Sequence, residues 1–590
     1  MSQPVAPASL PSEMATNMIR LYHFLLIALC LNGTAFGAAD PPNILFISID
    51  DLNDWIGCLG GHPQAKTPNF DRLAASGVLF TNAHCPAPAC NPSRGAIMTG
   101  ISPHVSGLYD NRQKMRERMP DAELMPKHFS NHGYWSAGSG KLLHYFIDAD
   151  SWDEYYPAKE TEDPFPRTFY PAQRPVNLPR GGPWQYVETD WAALDVTHEE
   201  FGGDWLVSKW IGQQLSEKHN KPFFLACGIY RPHEPWFVPK EYFEPFPLED
   251  IQLPPGYRED DLDDLPPAGK KKGPNRYFEH IQEQGQWKQG IQGYLASIYF
   301  ADTMLGRVLD ALENGPNKDN TIVVLWSDHG WHLGEKQHWQ KYTGWRACTR
   351  VPLMVRAPKG TAGLPNGTVA GTKCDAPVNL LSLYPTLTEL AGLPPKKTND
   401  GPSLVPLLKN SAANWPHASI TYLGRPGNYG LSGQRYRYIA YDNGDEELYD
   451  IKTDPYEWTN LAAKAEFTDR ITELKNHVPA SFAKYEGASI DSLTKLKWMP
   501  LSGESAPASK PDGPKFDVHF SNKADEPVKM FWINAKGEAK PYGTLETGWS
   551  KPYQTRPGAV WMIADAQEKP LGYFTVGDRT AHAVIPVTEK

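Results

Sequence analysis

The sequence predicts an α/β protein: a mixed sheet sandwiched by helices, then a smaller α+β subdomain and a terminal small β-sandwich. Three runs carry that expectation. Asn43–Ile49 (NILFISI), 221–230 (KPFFLACGIY) and 320–327 (NTIVVLWS) are almost continuously apolar and end in polar or charged residues. Amphipathic stretches at 204–218 and 290–313 separate them. Such runs suit parallel strands buried on both faces, and open sheets of this kind place their chemistry at the carboxyl ends of the strands.

At 590 residues, 40% hydrophobic and 21% charged, the chain has apolar material for a large core, which excludes disorder and a polytopic membrane protein. Lys and Arg number 58 against 68 Asp and Glu, a formal net charge of −10, so nothing favours nucleic acid as a partner. Any anion must meet local positive charge. The 19 Trp, 27 Tyr and 55 Pro suit stiff loops that grip amphipathic ligands, although such residues also fill cores.

In chain order, residues 1–39 read as a lead and signal peptide. Arg20 precedes an apolar run over 21–31, and Thr34-Ala35-Phe36-Gly37-Ala38-Ala39 supplies the small residues of a cleavage site, so the expected location is periplasmic or extracellular. Leu29 before Cys30 makes a poor lipidation box, and no later run reaches the roughly twenty apolar residues of a membrane span. Beyond the leader lie Cys58, Cys85, Cys90, Cys227, Cys348 and Cys374, too few for a disulfide framework in so long a chain. Residues 40–414 form the large α/β domain, with long Pro- and aromatic-rich loops at 145–197 and 235–289 that suit function. Residues 415–500 form the subdomain, with strands at 419–423 and 436–441 and a helix over 464–485. The Pro/Ser/Gly stretch 501–515 reads as a linker, and short runs at turn-like spacing make 516–590 the sandwich.

Asp50 and Asp51 end one strand, and Asp328-His329 end another. Carboxylates with one imidazole suit a hard or borderline divalent cation, Ca²⁺ rather than a Zn²⁺ site of His and Cys type. Either pair alone is more often a cap or a structural contact. Between them, Cys90-Asn91-Pro92-Ser93-Arg94-Gly95 leads into a short helix to Thr99. A thiol at a helix amino terminus beside Arg has a lowered pKa, so Cys90 reads as a nucleophile. His332, His338 and the lysines taken singly read as loop or surface residues, Trp331, Trp339 and Trp345 as packing, Glu335 as orienting its loop, and Thr349 and Arg350 as neighbours of the site.

Cys-x-Pro-Ser-Arg at 90–94, after an Asp-Asp strand, resembles the type I sulfatase signature, in which this Cys is oxidised to formylglycine. Gly140-Lys141-Leu142-Leu143-His144, Tyr230-Arg231-Pro232-His233-Glu234-Pro235 and Gly334-Glu335 through Lys341-Tyr342 follow in the family's order. The Asp-His pair and the Gly-Glu to Lys-Tyr spacing are most similar to iduronate-2-sulfatase and related bacterial enzymes. The resemblance covers about 41–395 well and extends loosely to about 462. It implies an alkaline-phosphatase-like fold, and Ca²⁺ bound by Asp50, Asp51, Asp328, His329 and the modified Cys90. It also implies catalytic roles for Cys90, Arg94, Lys141, His144, His233 and Lys341, a formylglycine-generating enzyme as maturation partner, and a sulfated carbohydrate as substrate. The motifs would serve an aryl sulfate, choline sulfate or phosphonate monoester almost as well, and an unmodified Cys90 would leave a non-catalytic binder of sulfated glycans.

Physical chemistry supports the same roles. A sulfate ester gains charge on its bridging oxygen as the S–O bond breaks, so fixed cations and a proton donor are required. A metal, Arg94, Lys141 and Lys341 supply the first; His233 or Lys341 supplies the second. Lys141 and His144 share one face if 141–144 is helical.

Residues 516–585 resemble the von Hippel-Lindau β domain, through Phe531-Trp532-Ile533-Asn534, Pro541-Tyr542-Gly543-Thr544-Leu545 and Gly558-Ala559-Val560-Trp561. In that family Trp532, Tyr542 and Trp561 match positions lining a hydroxyproline pocket. Two polar positions of the pocket are Gln554 and Ala559 here, so the expectation is an accessory module for a protein or glycan ligand.

Overall fold

In the computed structural model, the described residues are Met1, 41–180, 188–487, 490, 493–502, 505–512, 516–577 and 580–587. The leader read at 1–39 lies outside them apart from Met1. Residues 42–590 form one unit by contacts, and the description below concerns that unit.

Its centre is an eight-stranded sheet. In chain order the strands are β1 (Asn43–Ile49), β2 (Val78–Phe80), β3 (Trp135–Gly140), β4 (Glu154–Tyr156), β5 (Phe223–Ile229), β6 (Thr321–Ser327), β7 (Leu353–Arg356) and β8 (Thr372–Cys374). Their spatial order is β8-β2-β7-β6-β1-β5-β3-β4. Only β7 runs antiparallel to its neighbours, which makes the sheet mixed. The three strands expected from apolar runs are β1, β5 and β6, adjacent at the middle of the sheet, and every residue of each is buried. Side chains alternate across them. Leu45, Ile47 and Ile49 enter one core layer with Ile211 and Leu305, while Ile44 and Phe46 enter the other with Ile97 and Leu383. The first layer is roofed by helices α2 (Asp204–Ser216) and α3 (Trp287–Asn314), the second by α1 (Cys90–Thr99) among others.

Register fixes what meets at the strand ends. Ile49 lies opposite both Ile229 and Ser327. The ladder runs one step further, with Asp50 N donating to Ile229 O at 3.1 Å and Asp328 N to Ile49 O at 3.4 Å. On the far side of β5, Gly140 pairs with Gly228. A Cβ at Gly140 would stand 1.9 Å from Gly228 O, and its φ is +79°, so only glycine lets β3 deliver Lys141 beside β1.

Beyond the sheet, β9 (Ser419–Tyr422), β10 (Tyr429–Ser432), β11 (Tyr436–Ala440) and β12 (Glu446–Asp450) form an antiparallel meander. Thr421 Oγ1 donates to Cys85 O at 2.7 Å, which seats the meander against the loop leading to Cys90. The helix expected over 464–485 is shorter, Thr468–Lys475 with a 3₁₀ turn before it. Pro479 disfavours helical geometry at Val478, so a helix continuing to 485 would have to cross it.

The terminal module packs a five-stranded sheet, containing Met499–Pro500, against a three-stranded one. Its core holds Val518, Phe520, Trp561 and Phe574. The described part of 501–515 is not a free linker. Leu501 N donates to Leu571 O at 3.0 Å, Lys510 N to Gly558 O at 2.9 Å, and Ala506 and Ser509 are buried against the sheet. The recruited chain starts earlier still, with Leu496 N on His582 O at 2.9 Å.

Candidate active site

Cys90 opens helix α1 and is completely buried. Three nitrogens face its Sγ: Lys341 Nζ at 3.1 Å, His329 Nε2 at 3.3 Å and Lys141 Nζ at 3.7 Å. His144 is a further neighbour that favours the charged form of the sulfur. Burial pushes the thiol up, yet Lys141, Lys341 and His329 outweigh it and hold Cys90 well below the usual thiol range. Sγ marks the place that an oxidised side chain at position 90 would occupy.

Ligand atoms of Asp51, Cys90, Asp328 and His329 lie within 4.8 Å of one another, and all four residues are buried. Asp51 Oδ1 takes Lys341 Nζ at 2.9 Å, while Asp51 Oδ2 is buried and accepts no hydrogen bond. His329 Nδ1 is 3.1 Å from Gly330 O. A carbonyl only accepts, so Nδ1 carries a hydrogen, which leaves Nε2 as the ring nitrogen that would face a cation. An orphaned carboxylate oxygen, one further carboxylate and an imidazole nitrogen, beside the side chain at position 90, fit a divalent cation.

Asp50, expected as a ligand, lies beside the four rather than among them. It faces Lys141 Nζ at 2.5 Å and Arg94 Nη2 at 3.0 Å. Burial would raise its carboxyl, but Lys141 and Arg94 hold it below the usual range. Arg94, itself 0% exposed, also donates from Nε to Asp328 Oδ2 at 2.8 Å and from Nη1 to Lys141 O at 2.6 Å. Burial pushes Asp328 up to about 7 against the pull of Arg94. Ser93 Oγ donates to Asp328 O at 2.6 Å, so the first turn of α1 grips the end of β6.

His233 sits in the loop after β5. Its Nδ1 lies 2.6 Å from Glu234 O, and its Nε2 reaches to 3.7 Å from Asp51 Oδ2. Lys141 and His144 do not share a helix face, because 141–144 is a bend following β3. Both still reach Cys90, by turning rather than by periodicity. All the residues singled out in the sequence thus lie together around one sulfur.

The residues given no part in the chemistry make other contacts. His332 Nε2 meets Thr343 Oγ1 at 2.7 Å, and His338 Nε2 meets Lys341 O at 2.9 Å. Trp331, Trp339 and Trp345 are buried. Glu335 accepts from Leu333 N at 2.7 Å and orients its own loop. Arg350 pairs with Asp54 at 2.5 Å.

Sequence reasoning missed the rings and the cleft. Tyr145 and Tyr230 stand 4.7 and 5.3 Å from Lys141 Nζ, and only adjacency to the motifs could have flagged them. A cleft of about 780 Å³ opens beside Pro88 and Ala89, with Arg112, Lys271, Lys272 and Arg425 among its walls. Lys271 and Lys272 are adjacent, but Arg112 and Arg425 lie far from them in sequence, so no local pattern marks the cleft.

Comparison with known proteins agrees with this arrangement. The Sulfatase family profile matches residues 42–393, and the profile for the C-terminal region of N-sulphoglucosamine sulphohydrolase matches 334–484. The VHL beta domain profile matches 511–572. A sulfatase of Formosa agariphila is 40% identical over 484 residues, covering 79% of this chain and 93% of that protein. Iduronate 2-sulfatase of Homo sapiens is 31% identical over 413 residues, 63% of this chain and 73% of the relative. Among solved structures, one in complex with D-glucosamine-2-N, 6-O-disulfate has 24% identity and a TM-score of 0.56, covering 74% of this chain and 96% of that one. A phosphonate monoester hydrolase of Silicibacter pomeroyi has 21% identity and a TM-score of 0.59, covering 74% and 94%. These two share the fold.

Proposed function

This chain belongs to the sulfatase family, hydrolases of sulfate esters, and from that premise we propose that it desulfates sulfated carbohydrates through Cys90 matured to formylglycine, beside Ca²⁺. The observation that carries the reading is the convergence of Cys90, Asp51, Asp328 and His329 in one buried group, flanked by Lys141, Lys341 and Arg94.

Asp51, Asp328, His329 and position 90 would hold the cation, with Asp50 alongside. A bound cation would supply positive charge to the sulfate oxygens and acidify the nucleophile. Hydrated formylglycine would supply one hydroxyl for attack and a second for release, which serine or a thiol lacks.

The chain's own groups do the rest. Arg94 locks Asp50, Asp328 and the Lys141 carbonyl into one frame. Lys141 and Lys341, both facing position 90, bind the sulfate oxygens. His233, with Nδ1 tied to a carbonyl and Nε2 turned inward, holds the proton for the leaving oxygen, and His144 orders the nucleophile. Charge counting supports this division. Arg94, Lys141 and Lys341 balance Asp50, Asp51 and Asp328, so a divalent ion leaves positive excess for a sulfate whose charge grows in the transition state.

The carbohydrate assignment draws on the named relatives and on the 780 Å³ cleft, where Arg112, Lys271, Lys272 and Arg425 outnumber Asp110 and Asp442 and suit a substrate with further anionic groups. Export after signal peptide cleavage, maturation by a formylglycine-generating enzyme and a ligand-binding role for the terminal module complete the proposal. No helix among the described residues is long and apolar enough to cross a membrane. The test is a chromogenic aryl sulfate beside defined sulfated glycans. Desulfation of glycans supports the reading; turnover of phosphonate monoesters alone overturns it.

A further inference from the structure

Two tyrosines border the nucleophile in a backbone conformation that their side chains disfavour. Tyr145 has φ of 59° and Tyr342 φ of 76°. Residues with a Cβ rarely adopt this region, and when they do the strain is commonly kept for function. Tyr145 stands over Lys141 Nζ, and Tyr342 directly follows Lys341. One ring therefore belongs to each lysine that faces Cys90.

Unlike their neighbours, both rings stay open to solvent, 46% and 45% exposed. They are nonetheless held. Tyr145 packs its ring 5.6 Å from Phe165, and its hydroxyl lies 3.4 Å from that of Tyr230. Tyr342 accepts from Asn111 Nδ2 at 3.3 Å, and its backbone N donates to Pro88 O at 3.2 Å. Each lines a cavity, Tyr145 one of about 330 Å³ and Tyr342 the cleft of about 780 Å³. Half-exposed rings contribute little to the core, so packing does not account for the strained backbone. A rigid tyrosine offers an apolar face and a polar tip at small entropic cost, which suits the C–H face and hydroxyl rim of a sugar.

We propose that Tyr145 and Tyr342 act as a pair of jaws that grip the pyranose ring carrying the scissile sulfate and so select cyclic over acyclic sulfate esters. The assignment rests on the hydrolase reading above and names the substrate feature that this site recognises.

The test uses the mature full-length protein, a methyl pyranoside sulfate and propyl sulfate. Tyr145→Ala and Tyr342→Ala should each lower the ratio of kcat/KM for pyranoside over propyl sulfate about tenfold, mainly through KM, and Tyr→Phe at either position should restore it. An unchanged ratio in both alanine variants overturns the jaws. If an alanine variant fails to fold, Tyr→Gly, which the backbone favours, is read in its place. Calorimetric binding of the same two esters to unmodified protein needs no turnover. Wild type should bind the pyranoside about tenfold more tightly than propyl sulfate and the variants should not. Equal binding in wild type overturns the jaws, whereas absent turnover with selective binding overturns only the hydrolase chemistry.

Discussion

Arg94→Ala removes the one guanidinium that spans the site. In the protein it is 0% exposed and ties Asp328 at 2.8 Å, Asp50 at 3.0 Å and the Lys141 carbonyl at 2.6 Å. Deleting one partner of a buried ion pair leaves an uncompensated charge and costs about 3–5 kcal/mol. Lys141 still faces Asp50, so most of that cost falls on Asp328, which keeps His329 at 3.5 Å. Against a total stability of roughly 5–15 kcal/mol, the loss is large. With Ca²⁺ held as proposed beside the stranded carboxylate, saturating Ca²⁺ should recover part of it; binding at about 100 times Kd contributes about 2.7 kcal/mol. The assay is urea unfolding followed by tryptophan fluorescence, with Ca²⁺ and with chelator, beside turnover of an aryl sulfate. Turnover should fall by about 10²-fold or more. An Arg94→Ala protein within about 1 kcal/mol of the parent in chelator, and active within tenfold, would refute the reasoning.

Gly140→Ala should fold poorly or not at all, because its Cβ would stand 1.9 Å from Gly228 O at a φ of +79°; soluble yield and melting temperature report this. His329→Ala should weaken Ca²⁺ binding at least about tenfold, whereas His332→Ala should lower stability and leave Ca²⁺ affinity in place, both read by calorimetric titration. Burial pushes Glu457 from 4.5 up to about 7, against Arg437 and Arg346. Its contribution to stability is therefore complete below about pH 4.5 and lost as pH rises through about 7, and Glu457→Gln should flatten that part of the stability profile. A chain ending at Lys510 should aggregate, since it exposes the face of Trp498 and Ala506 that packs on the sandwich, whereas one ending at Gly487 should stay soluble and active on small esters.

Much of the fold was legible because burial on both faces leaves a plain mark: β1, β5 and β6 are apolar throughout. The alkaline-phosphatase-like architecture followed from motifs at their ends. β3 was not legible. Its sequence, WSAGSG, has small residues because strands and backbone crowd there, and small polar residues look like a loop. The expected linker failed for a similar reason. Ser509 accepts from Val560 N at 2.7 Å and donates to Ile533 O, a tertiary role that composition does not announce. In the site, residues bound to a motif were readable, Cys90, Arg94 and His329 among them. Lys141 and His144 would share a face only if 141–144 were helical; the stretch is a bend, and the turn after Gly140 brings both inward. Arg112, the Lys271-Lys272 pair and Arg425 of the cleft lie more than a hundred residues apart and meet only through topology.

The central claim is that position 90 of the mature protein is an aldehyde. Mass spectrometry of the peptide spanning Cys90, from protein made in a host that carries the modifying enzyme, addresses it directly. The account predicts a peptide lighter by the difference between CH₂SH and CHO, present in proportion to turnover; an unaltered thiol in a preparation that hydrolyses sulfate esters at full rate would contradict it.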